Sequence, residues 1–79
     1  MRTQEEQELD VLLVIGKCGM ITKREIMERA NLKTSTNNFI LKRIHAKGYT
    51  KTMQIHKPKF KLFCLTMLGF QKLNEVRDV

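Results

Sequence analysis

"ITKREIMERANLKTSTNNFILKRIHAKGYTKT", residues 21–52, decides how this chain folds. It divides into a helix, a short turn, a second helix and the start of a strand. Thr22 and Glu25 have capping-box spacing: the threonine oxygen can accept from the Glu25 N–H while the glutamate side chain reaches back. Ile26, Met27 and Ala30 then give a buried stripe. Asn31, which tolerates positive φ, ends that helix. "NLKTS" is a turn, and Thr34 or Ser35 is expected to cap the helix that follows. Gly48 is its C-terminal stop. On a helical wheel Asn37, Ile40, Leu41 and Ile44 cluster on one face. Ser35, Asn38, Phe39, Lys42 and Ala46 lie on the other, flanked by Thr36, Arg43 and Lys47.

Downstream of this stretch, from Tyr49 to Thr66, the period changes to two. "YTKTMQIHK" and "FKLFCLT" flank Pro58, which suits the second position of a tight turn, so the segment predicts a β-hairpin. With Pro58 and Lys59 as the turn, Met53, Ile55, Leu62 and Cys64 share one face, and Phe63 and Leu65 the other. Thr66 can then cap a last helix with Phe70, Leu73 and Val76 on one side. Upstream, residues from about Gln4 to Ile15 predict a helix ended by "GKCG". Leu9, Leu12, Leu13 and Gly16 fall on one face of it, and Val11 and Val14 project from the opposite side. Met20 and Ile21 could make a very short strand. At 79 residues, with 42% hydrophobic content, residues 1–79 are expected to form one domain, α+β and mostly helical.

The net charge of +7 is unevenly placed. Residues 1–31 carry five basic and six acidic side chains, residues 32–63 eight basic and none acidic, and residues 64–79 two of each. A solvated face normally mixes signs. A segment without an acid from Lys33 to Lys61 favours a polyanion as partner, because acids there would repel phosphate. No secretory signal is visible in "MRTQEEQELD", and the longest apolar run, "VLLVI", cannot span a bilayer, so a cytoplasmic location and no membrane partner are expected. Cys18 and Cys64 are expected to be free thiols.

Two segments carry a family resemblance. Residues 21–52 are similar to the helix-turn-helix of winged-helix regulators running into the wing, and "FCLTMLG" resembles the "LTxxG" with which their second wing strand meets the next helix. Over about residues 9–73 the chain resembles the winged helix-turn-helix superfamily, MarR- and PadR-type transcriptional regulators in particular. The resemblance implies three helices, a β-hairpin wing and a C-terminal helix. It also implies that the helix at about 34–47 enters the major groove of double-stranded DNA and that the wing, about 50–66, lies along the backbone. Two departures stand out: the long flanking helices of full MarR proteins have no counterpart, and Asn37 occupies a position that is usually apolar. No small-molecule effector is expected.

The residue chemistry agrees with that docking. Thr34, Ser35, Thr36 and Asn38 can donate to and accept from base edges or phosphates, and Lys42 and Arg43 can reach phosphates or guanine. In the wing, His56, Lys57, Lys59 and Lys61 suit phosphates. Phe39 has two readings, a contact to a thymine methyl or a side chain folded into the core. The same surface could instead serve a winged-helix module that binds protein or RNA. Cys18, Cys64, His45 and His56 lack metal-ligand spacing, so no metal or cofactor is expected. No acid–base pair or activated nucleophile is evident, so the chain is not expected to be an enzyme. Val11, Val14, Phe70, Leu73 and Val76 are expected to pair across a two-fold axis as a homodimer interface.

Overall fold

The computed structural model describes residues 3–54 and 61–77, without the side chains of Gln54, Val76 and Arg77. The element order is α1 (Gln4–Cys18), β1 (Ile21–Thr22), α2 (Lys23–Ala30), α3 (Thr34–Ala46), β2 (Thr50–Gln54), β3 (Lys61–Leu65) and α4 (Met67–Arg77). This is the winged-helix order expected from the sequence. No helix among the described residues is long and apolar enough to cross a membrane.

Local chemistry accounts for most boundaries. Thr3 caps α1 by accepting from the Glu6 N–H, and Glu5 and Glu6 complement the helix dipole. Thr22 caps α2 by accepting from the Glu25 N–H at 3.3 Å, and its own hydroxyl donates to the Glu25 carboxylate. Asn31 ends α2 in the left-handed region, at φ 56° and ψ 51°. At the end of α3, the Tyr49 N–H donates to the Ile44 carbonyl and the Gly48 N–H to that of His45, with Gly48 at φ 81°. That is a Schellman closure, and its positive φ is why glycine stands there.

Three boundaries differ from expectation. The short strand β1 is Ile21–Thr22, one residue later than the expected Met20 and Ile21. Helix α1 does not stop at Ile15 but continues through Gly16 to Cys18, and Gly19 closes it at φ 79°. Gly16 is instead a packing position: a Cβ there would lie 3.1 Å from the Cδ1 atoms of Leu65 and Leu73. Neither Thr34 nor Ser35 caps α3. Lys33 is the N-cap without a side-chain bond, and the Thr34 hydroxyl donates to the Met27 sulfur at 3.4 Å.

The sheet has the order β1-β3-β2, antiparallel throughout. Ile21 pairs with Phe63 and Thr22 with Leu62, so β1 stitches the wing to the helical core. Between the longer strands Thr50 faces Leu65, Thr52 faces Phe63 and Met53 faces Leu62. Met53, Leu62 and Cys64 thus share one face and Phe63 and Leu65 the other, as the alternation predicts. The turn expected at Pro58 and Lys59, with Ile55, lies outside the described residues.

The core joins Val11, Leu12 and Ile15 of α1, Ile26 and Ala30 of α2, Ile40, Leu41 and Ile44 of α3, and Ile21, Leu65 and Leu73. Each fully buried aliphatic side chain contributes about 1.5–3 kcal/mol. The dimer expectation needs correction here. Val11 is 0% exposed within its own chain and Leu73 only 7%, so neither is left over for a partner. The buried stripe of α1 is Glu8, Val11, Leu12 and Ile15. It is rotated from the expected one, and Leu9 and Leu13 are only half-buried. Val14 packs against the edge of the core, Phe70 is 49% exposed, and the Val76 side chain lies outside the described residues. The physical cause lies at Glu8, whose charge α3 neutralises within this face.

Candidate nucleic-acid interface

Helix α3 is held by its apolar face, with Ile40 and Ile44 at 0% exposure. Asn37 interrupts that face at 1% exposure. Its Nδ2 donates to the Lys23 carbonyl at 3.3 Å, tying α3 to the first turn of α2, while its Oδ1 has no hydrogen-bond partner. A buried amide half satisfied in this way offsets part of the stability that an apolar residue would contribute.

Thr34, Ser35, Phe39 and Lys42 are exposed and Thr36 half-buried. Ser35, Phe39 and Lys42 lie on the side of α3 opposite Asn37, Ile40 and Ile44, as helical spacing requires. Phe39 is 46% exposed and therefore is not a core residue; the Arg43 guanidinium lies 5.7 Å from its ring centroid. Such a cation–π contact contributes about 0.5–1 kcal/mol at an exposed site.

The two flanks of α3 differ. On the α1 side, Lys47 Nζ lies 2.9 Å and Arg43 Nε 3.5 Å from Glu8 Oε1. Arg43 is therefore ion-paired to α1 rather than a free cation. On the wing side a cleft of about 400 Å³ opens between α3 and the sheet. Lys23, Asn38, Lys42, His45 and Lys61 line it, over a floor that includes Leu41 and Phe63. Asn38 is half-buried, and its Oδ1 is covered without a hydrogen-bond partner. The expected outward position is thus corrected: Asn38 sits at the cleft edge, not on the open face. Lys61 is exposed on β3, whereas His56, Lys57 and Lys59 lie outside the described residues.

Sequence reasoning missed Lys23 and Glu8. Lys23 left a signal, since a cation in the first turn of a helix opposes the dipole and calls for a reason. Glu8 left one too: it continues the i, i+3, i+4, i+7 spacing of Val11, Leu12 and Ile15. The cleft, the exposed outer face of α3 and the adjoining sheet form one surface without a carboxylate on α3, β2 or β3.

This arrangement of a packed helix-turn-helix followed by a three-stranded wing defines a winged helix-turn-helix fold. No protein-family model and no curated protein matches the sequence. Among solved structures, a C80S mutant of MarR from E. coli, crystallised with operator DNA, superposes with a TM-score of 0.83 at 19% identity over 90% of this chain and 51% of that one. YusO from Bacillus subtilis gives a TM-score of 0.83 at 26% identity, covering 91% and 52% of the two chains. NadR, solved in complex with 4-hydroxyphenylacetate, gives 0.84 at 15% identity, covering 91% and 52%. The fold is that of MarR-type winged-helix regulators, and the chain spans about half the length of the solved chains it matches.

Proposed function

We propose that the chain is a sequence-specific, double-stranded DNA-binding transcriptional regulator that acts as a homodimer in the cytoplasm, with α3 in the major groove and the wing on the backbone. The observation that carries this reading is the acid-free surface formed by α3 and the sheet, where Lys23, Lys42, His45 and Lys61 converge on one cleft. Ser35 and Lys42 face outward to meet base edges and phosphates, and Phe39 is placed for a thymine methyl. Titration of duplex binding against salt tests it. A DNA reader binds with a steep log–log slope, whereas a module for protein would show little affinity for DNA at moderate salt. Selection from a random duplex pool should return a two-fold symmetric site.

Single substitutions in α3 separate roles. Lys42→Ala should weaken all duplexes alike and lower the salt slope by about one unit. Ser35→Ala, at an exposed position of the outer face, should cost about 1 kcal/mol at one base-pair position and flatten preference there. Equal, sequence-independent losses from both, measured by competition binding, would remove α3 from the groove.

For the dimer, Met67 at 78% exposure, Leu68 at 54% and Phe70 at 49% are exposed apolar residues of α4, and half-buried Leu13 of α1 lies beside Phe70. Pairing them across a two-fold axis would contribute about 1–2 kcal/mol per side chain removed from water. It would also let two α3 helices address major grooves about 34 Å apart. Sedimentation at micromolar concentration should give a dimer, and Phe70→Glu a folded monomer of 9.3 kDa. A wild-type monomer would sink this part of the reading.

A further inference from the structure

The recognition helix is flanked by cations on both sides, but among the described residues only one side has a buried acid. Glu8 is 5% exposed within the inward stripe of α1. Its Oε1 takes the Lys47 ammonium at 2.9 Å and the Arg43 Nε at 3.5 Å, from positions one turn apart on α3. The Arg43 and Lys47 side chains are 37% and 42% exposed, so their charged ends stand between solvent and a carboxylate that has almost none. A carboxylate removed from water must keep its partners. For Arg43 and Lys47 to swing onto phosphate, Glu8 would lose both. An exposed phosphate contact, screened by salt, returns less than that desolvated pair holds.

We propose, resting on the DNA reading above, that Glu8 withholds Arg43 and Lys47 from the phosphate backbone and so biases DNA contact toward the wing side of α3. Glu8 is a positioning residue in this scheme, and it touches no nucleotide. Arg43 then serves to hold Phe39, over whose ring it lies, while Lys42, Lys61 and Lys23 carry the phosphate contacts. Withholding nonspecific cations from a recognition helix lowers affinity for every sequence alike. It leaves a larger share of the binding to groups that read bases.

The test is a charge cycle read as salt slope rather than affinity alone, using a random-sequence duplex between about 50 and 200 mM salt. In the wild-type background Arg43→Gln and Lys47→Gln should each leave the slope nearly unchanged. Glu8→Gln keeps the shape of the side chain and should steepen the slope by up to about 1.8, at about 0.9 per freed cation. In that background each of the two cation substitutions should take back about 0.9. A slope lowered by about 0.9 by either single cation substitution overturns the proposal, as does an unchanged slope in Glu8→Gln. If Glu8→Gln fails to fold by circular dichroism, the two single variants decide alone. Lys42→Gln serves as the control for the underlying reading. Failure of the wild type to bind duplex, or of Lys42→Gln to lower the slope, rejects the DNA docking itself; the other outcomes reject only the role of Glu8.

Discussion

Gly69→Ala should be the most damaging small substitution in the chain. A Cβ at Gly69 would lie 2.2 Å from the Tyr49 carbonyl oxygen and 3.1 Å from its carbon. Backbone cannot turn aside as a side chain can, so the first turn of α4 must move off the start of the wing. Three hydrogen bonds run through that contact. The Thr66 N–H donates to the Tyr49 carbonyl at 3.0 Å, the Thr66 hydroxyl donates to the Gly48 carbonyl, and the Gly69 N–H donates to Thr66 Oγ1 at 3.2 Å. Displacing them together should cost about 3 kcal/mol or more, against a total near 4–12 kcal/mol for a domain of this size. Thermal unfolding should show a midpoint lower by about 12–24 °C. Gly16→Ala is the internal comparison. Its new methyl meets only two flexible leucine methyls, at 3.1 Å. The gain in helix propensity opposes their displacement, so the change should stay within about 1 kcal/mol. Equal losses from the two variants would refute the account of Gly69. The same geometry explains "LTMLG" physically: Leu65 fills the core, Thr66 caps α4 and ties it to Gly48, and Gly69 admits the Tyr49 carbonyl.

Replacing Lys57, Lys59 and Lys61 together by Gln should produce the largest change in DNA binding. Each lysine that neutralises a phosphate adds about 0.9 to the log–log salt slope, so removing all three should lower it by about 2–3. Affinity would then fall about 40-fold less between 50 and 200 mM salt than it does for the wild type. Because these lysines are proposed to meet backbone rather than bases, the order of preference among duplexes should not change. Lys61→Gln alone, at the exposed start of β3 beside the cleft, should account for about one of those units. An unchanged slope in the triple variant would place the wing away from DNA, and a reordered preference would make it a reader of sequence.

Much of this was legible in the sequence because the deciding chemistry is local. The Thr22–Glu25 box, left-handed Asn31 and the Gly48 stop lie within a turn of the ends they fix. The faces of the hairpin follow from strict alternation, since opposite parity forces opposite sides. The acid-free segment is composition, which folding does not alter. What tertiary structure alone decided depends on partners far away in the chain. The face that α1 buries turns on Glu8, whose neutralising cations come from 35 and 39 residues downstream. Leu9, Leu12, Leu13 and Gly16 offer an equally apolar face by spacing alone, so Val11 was expected outside; only with those partners in place does Glu8 join Val11, Leu12 and Ile15 in the buried stripe. The ion pair of Arg43 with Glu8 depends on the same long-range packing. Asn38 moved from open face to cleft edge because the sheet stands beside that flank of α3, and Lys23 joined it from α2. A helical wheel ranks side chains by angle about one axis; only the packing of neighbouring elements settles which of those angles solvent can reach.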